Sequence, residues 1–128
     1  MKVREAGPQY TGRIAEDQAC DYLRQNDYRI ICRNYRSRYG EIDIVAACGS
    51  VLVFAEVRYR RRHSLVPPQE SVSRAKTQRL KLTIRDFLSK HSGIVEQYDS
   101  IRVDLVCVSG TGDPASLEFR TIKGIIEF

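Results

Sequence analysis

The sequence predicts a mixed α/β fold, a sheet with helices on its faces, in the order α-β-β-β-α-β with one further strand. Three observations carry this. Three β-rich runs follow one another with short links, which makes an antiparallel meander. A helical stripe then separates the third run from a fourth, which allows a right-handed crossover to a parallel strand. The chain has 128 residues, 42% hydrophobic and 29% charged, which suits one globular domain and excludes disorder as its dominant state.

Residues 1–10 read as a flexible tail ending at Gly7-Pro8, ahead of a single domain over 11–128. Thr11 suits a helix N-cap. Ala15, Ala19, Tyr22 and Leu23 then fall on one helical face, and Asn26-Asp27 closes the helix. Tyr28 to Arg36 reads as a strand and Ser37 to Gly40 as a turn. Glu41 to Cys48 and Val51 to Tyr59 read as two strands around Gly49-Ser50. Residues 60–71 form a loop, in which Pro67-Pro68 excludes a helix. Ser71 or Ser73 caps a second helix running to about His91, with Val72, Leu80, Ile84, Phe87 and Leu88 in its stripe, and Ser92-Gly93 ends it. Ser100 to Ser109 is a strand, Gly110 to Pro114 a turn, and Leu117 to Ile126 a last strand.

The net charge is +5, but it is not spread evenly. Residues 58–90 carry 10 basic side chains and 2 acidic ones, whereas 1–57 are balanced and 91–128 are acidic. Such a stripe is the footprint of a polyanion partner, or a solvated basic face that keeps the protein soluble, or a surface for an acidic protein. No stretch approaches the length of a membrane span, and Met1 to Glu5 leads into no apolar signal core. Cys20, Cys32, Cys48 and Cys107 have neither zinc-knuckle nor CxxC spacing. They read as reduced thiols, and the expected location is the cytoplasm.

The chemistry concentrates on one hairpin. Gly49-Ser50 suits a two-residue type II′ turn, which pairs Cys48 with Val51. Counting back, Asp43 lies directly opposite Glu56, with Cβ atoms about 4.5–5.5 Å apart. Alternation puts Asp43 on a face with Glu41 and Val45, and Glu56 with Leu52, Phe54 and Arg58. The other face is Ile42, Ile44, Ala46, Val51, Val53, Ala55 and Val57, and must be packed. Two opposed carboxylates in a half-buried setting need relief. A divalent metal, a shared proton or a flanking cation such as Arg58 would each supply it, and an oxygen-only site suits Mg²⁺ or Mn²⁺.

Gly40-Glu41-Ile42-Asp43-Ile44-Val45 followed by Val53-Phe54-Ala55-Glu56-Val57-Arg58 resembles the PD-(D/E)XK nuclease signature. The element order matches that superfamily's restriction-endonuclease-like αβββαβ core. More narrowly, the chain resembles the YraN-like family of bacterial proteins, itself similar to archaeal Holliday-junction resolvases. Supporting residues are Gly12, Ala15-Glu16, Asn34, Arg36, Tyr59-Arg60-Arg61, Val72, Lys76, Leu80, Arg102 and Asp104. The resemblance implies a metal-dependent DNA endonuclease, acting on branched DNA, with Asp43 and Glu56 as metal ligands and Glu16 as the helix-borne acid. Glu41 either lines the site or is exposed, and Asp104 is structural or supports the site. The usual lysine position holds Arg58, which stays protonated and cannot act as a base. It can still grip phosphate. Lys76, one helical turn before Leu80, should face the sheet and is a substitute. Arg36, Arg60, Arg61, Arg62, Arg74, Lys76 and Arg79 are the expected nucleic-acid contacts, and His63 follows them. Two-fold DNA structures imply a homodimer by analogy. The alternative is a non-catalytic nucleic-acid-binding module on the same fold. Tyr35, Tyr39 and Tyr59 are either base-stacking platforms or ordinary sheet aromatics.

Overall fold

Proline has no N–H to lose in the first turn of a helix, and its φ is already set for one. Pro8 accordingly opens α1 (Pro8–Gln25), three residues ahead of the Thr11 start that side-chain capping suggests. The helix therefore takes in the end of the expected tail. The computed structural model describes residues 8–61, 73–110 and 116–126. The residues that follow α1 form β1 (Arg29–Ser37), β2 (Gly40–Cys48), β3 (Val51–Arg61), α2 (Arg74–Lys90), α3 (Ser92–Val95), β4 (Ser100–Gly110) and β5 (Glu118–Ile122). Arg60 and Arg61, expected at the start of a loop, extend β3, and the rest of that loop with Pro67-Pro68, the Val72 position and His63 lie outside the described residues.

The sheet order is β1-β2-β3-β4-β5. β1, β2 and β3 form the antiparallel meander, and β3 pairs β4 in parallel along its length, from Val51↔Ser100 to Arg61↔Gly110. α2 and α3 lie in the connection between these two strands. β5 returns antiparallel to β4. This is the mixed sheet with flanking helices, arranged as an αβββαβ core. No helix among the described residues is long and apolar enough to cross a membrane.

The β2–β3 hairpin closes as expected. Gly49 takes φ +58 while Ser50 is not left-handed, the type II′ pattern, and Cys48 pairs with Val51. The ladder keeps that register to Ile44↔Ala55 and stops there, so Asp43 and Glu56 are not ladder partners. The Val57 N–H, which a continued ladder would direct to a β2 carbonyl, donates instead to Asp43 Oδ2 at 2.8 Å. The carboxylate thus occupies the place of a backbone acceptor.

Two core layers hold the helices down. Ala15, Ala19, Cys20 and Leu23 of α1 pack on Ile44, Ala46, Val53, Ala55, Val106 and Val108. On the other face Leu80, Ile84 and Phe87 of α2 pack on Ile42, Val45, Leu52, Phe54 and Val103. Each large apolar side chain buried this way contributes about 1.5–3 kcal/mol. Ile42 belongs to the α2 layer, whereas alternation assigned it to the face of Ile44. The period-two pattern breaks at Asp43, so Asp43 does not share Val45's face. The neighbouring strand is distorted at the same level, where Asn34 stands at φ +54.

Other differences are at element ends. Ser73 is the α2 cap, its hydroxyl accepting from Lys76 N at 3.2 Å. The helix stops at His91 without a left-handed glycine, and Ser92-Gly93, expected to end it, start the short α3. β5 ends at Ile122, not Ile126, because Gly124 turns left-handed at φ +66. Beyond the turn, Gly124 N donates to Asp104 Oδ1 at 3.1 Å and Ile125 N to the Val103 carbonyl at 2.8 Å.

Candidate active site

The break at Asp43 sits where α1, β2, β3 and the start of α2 converge. Glu16 leans from the edge of the α1 apolar stripe. Its carboxylate, that of Glu41 at the start of β2 and that of Asp43 have oxygens all within 4.8 Å of one another. Three acids this close repel, and partial burial strengthens the repulsion. Burial first, and Glu41 second, raise the Glu16 carboxyl above its ordinary range. Burial and the charge of Glu56 push Asp43 up to about 8, against the Val57 N–H bond that favours its ionised form.

Glu56 comes from β3 and is only 7% exposed. Burial raises its carboxyl, while the Arg58 charge and a hydrogen bond with Asp43 act the other way. Asp43 and Glu56 are therefore within reach of one shared proton. Glu56 also carries the cationic side of the site: Lys76 Nζ lies 3.3 Å and Arg58 Nη2 3.5 Å from its Oε1. Lys76 reaches the sheet from the first turn of α2, as its spacing from Leu80 predicts. Arg58 Nε is buried and donates to nothing among the described residues.

The remaining basic residues are distributed around this centre. Arg36 is 78% exposed along its side chain, and its Nε lies 3.0 Å from Glu41 Oε2. Arg74 and Arg79 are exposed on α2, and Arg79 passes beside Gly40, next to Glu41. Arg60 is half-buried on β3. The side chain of Arg61, and all of Arg62, lie outside the described residues. Asp104 is 1% exposed and bonded to other groups. It accepts from Arg102 Nε at 2.8 Å, from Arg102 Nη2 at 3.0 Å and from Gly124 N, which makes it a fastening for the C-terminal turn.

Tyr35 is not a base platform. Its ring meets Phe87 edge-on at 5.1 Å and its hydroxyl donates to Asp86 at 2.6 Å. Tyr59 packs against the α1 layer, and Tyr39 accepts from Arg38 at 2.6 Å. Two further residues lie at the site: Arg33, and Asn34, which supports the family resemblance but carries no assigned chemistry. Arg33 sits 2.8 Å from Asp17 and 3.9 Å from Glu16. Asn34, with its amide oriented as donor, places Nδ2 3.0 Å from both Glu16 Oε1 and Glu41 Oε1. The available signal was an asparagine inside a β-rich run, a residue type that tolerates a left-handed backbone.

Residues 15–108 match the uncharacterised protein family UPF0102. A UPF0102 protein of Desulforapulum autotrophicum is 44% identical over 100 residues, covering 78% of this chain and 80% of that one. One from Methylococcus capsulatus is 41% identical over 109 residues, 85% of each chain. One from Thermotoga neapolitana is 40% identical over 100 residues, 78% of this chain and 88% of its own. The matched span contains every acid of the cluster and both cations beside Glu56. On this likeness the chain belongs to the UPF0102 family.

Proposed function

We propose that the protein is a metal-dependent phosphodiesterase that cleaves DNA, with branched DNA as its substrate. The observation that carries this is the meeting of Glu16, Glu41 and Asp43 within 4.8 Å, with Glu56 close enough for its charge to raise the Asp43 carboxyl. The donor set fits a hard divalent cation: it offers oxygen alone, and burial, with the neighbouring negative charge second, raises the Asp43 carboxyl until something neutralises the site. Asp43 and Glu56 would hold Mg²⁺ or Mn²⁺, and Glu16 and Glu41, whose oxygens lie within 4.8 Å of one of Asp43, would add to its ligands. Bound there, the ion would supply Lewis-acid polarisation of a phosphodiester.

The chain's own cations complete the reading. Lys76 and Arg58 flank Glu56 and can stabilise charge that builds on a phosphoryl group. Arg58 Nε is a buried donor in need of an acceptor, and a phosphate oxygen would serve. Arg58 cannot give up a proton, so proton transfer falls to Lys76. Arg74 and Arg79 on the exposed side of α2, with Arg36 and Arg60, would hold the DNA backbone. The setting is the cytoplasm, which suits four unpaired cysteines. A two-fold junction would be matched by a homodimer.

The test is cleavage of linear, flapped and four-way DNA in Mg²⁺ or Mn²⁺. Wild type should cut, and Asp43→Ala and Glu56→Ala should not. A wild type that cuts none of the substrates overturns the proposal. Salt-sensitive DNA binding that survives Asp43→Ala, without cleavage, would identify a binding module, the reading that Arg58 in the lysine position favours.

A further inference from the structure

Asn34 is the polar residue of this region for which the nuclease reading has no use. On β1 it falls between Arg33, which pairs with Ile44, and Tyr35, which pairs with Ile42, so it stands across from Asp43. Its φ of +54 is left-handed, a conformation that asparagine accepts at some cost. The two strands are thus distorted at the same level, and one local distortion delivers both side chains. The amide Nδ2 has two protons, and two carboxylate oxygens lie 3.0 Å from it, Oε1 of Glu16 and Oε1 of Glu41. These acids come from α1 and β2, 25 residues apart in sequence, and they meet at one neutral group.

We propose that Asn34 is the positioning residue of the acidic site, its amide tying Glu16 to Glu41 and setting the spacing at which the two carboxylates meet a divalent cation. The proposal rests on the metal reading above. Neutrality is what suits the amide to this task. A donor hydrogen bond relieves repulsion between the acids, yet leaves the negative charge that a cation requires. Arg33 does not do the same, because its guanidinium is committed to Asp17 at 2.8 Å and lies 3.9 Å from Glu16. A full positive charge held between the acids would compete with the metal.

Asn34→Gly removes the amide and keeps a backbone that is at ease with positive φ. Mn²⁺ binding, followed by calorimetry, should weaken about 10-fold, the scale of losing a group that orients a metal ligand. The thermal midpoint without metal should stay within a few degrees of wild type. A second measurement needs no metal. The Asn34 side-chain NH₂ resonances, assigned by their loss in Asn34→Gly, should move in Glu16→Gln and again in Glu41→Gln. Resonances indifferent to both substitutions overturn the tie. Mn²⁺ bound equally by wild type and Asn34→Gly overturns the positioning role and leaves the metal reading standing. A wild type that binds no Mn²⁺ removes the metal reading, and this proposal with it.

Discussion

Asp43→Asn should make the metal-free protein more stable than wild type at pH 8, although it deletes the central acid. Asparagine can still accept the Val57 N–H bond that Asp43 receives at 2.8 Å, and it carries no charge to desolvate. The Asp43 carboxyl titrates near 8 in the folded protein against an ordinary 3.8. At about 1.4 kcal/mol per tenfold in proton affinity, ionising it in place costs at most about 6 kcal/mol. The cost is shared with Glu56 and eased by local relaxation, so about 2–3 kcal/mol should appear as stability. The folded protein keeps this proton to higher pH than the unfolded chain does. Unfolding therefore releases protons between about pH 4 and pH 8, and stability falls as pH rises through that window, the loss being complete above it. For a domain of this size, 2–3 kcal/mol moves a thermal midpoint by roughly 10 °C. The assay is thermal unfolding in EDTA, followed by circular dichroism, at pH 5 and pH 8. The gap between the two midpoints should be small at pH 5 and widen to its full size at pH 8. On the metal reading, Mg²⁺ at a hundredfold its dissociation constant should then stabilise wild type by about 2.7 kcal/mol, and the variant by much less. A variant no more stable than wild type at pH 8 would refute the account of Asp43 as a carboxylate held against its charge.

Three further outcomes follow from particular contacts. Phe87→Ala, which empties the place where Phe87 meets Phe54 at 5.4 Å and Tyr35 at 5.1 Å, should cost about 3–5 kcal/mol by urea denaturation. Asp104→Ala leaves Arg102 without its carboxylate and frees Gly124 N. A loss of about 3–5 kcal/mol is expected, with faster proteolysis near the C-terminal turn as its signature. If α2 holds a phosphate backbone, Arg74→Ala and Arg79→Ala should each weaken DNA binding. Each should also lower the slope of log affinity against log salt by about 0.9, measured by anisotropy at several salt concentrations.

Much of the fold is legible because local rules and tertiary packing agree. The Gly49-Ser50 turn sets the hairpin register, and the unbroken apolar run from Val51 to Ala55 marks a strand buried on both faces. The parallel β3–β4 pairing follows from the intervening helix. The misjudged boundaries are places where a backbone rule outweighs a side-chain preference. Pro8 opens α1 ahead of Thr11, and Gly124 ends β5 four residues early. At the site, Asp43, Glu56 and Lys76 could be picked out because their types and spacing are unusual in a sheet. Asn34 is visible only as part of the family resemblance, and its role is not, because an asparagine in a strand has many bland explanations until its neighbours in space are known.

From the sequence alone came the identity of the acids, the placement of basic charge after them and the strand order that brings them near one end of a hairpin. Those are properties of composition, period and turn chemistry, which act over a few residues. Tertiary structure alone decided how the acids meet. Direct opposition of Asp43 and Glu56 in a ladder would have forced two charges together. The sheet instead stops pairing at Ile44↔Ala55 and gives Val57 N–H to the Asp43 carboxylate. Glu56, still close enough for its charge to raise Asp43, also meets Lys76 and Arg58, while Asn34 ties Glu16 to Glu41 beside Asp43. That outcome depends on distances between α1, β1, β2, β3 and α2 that no local pattern encodes.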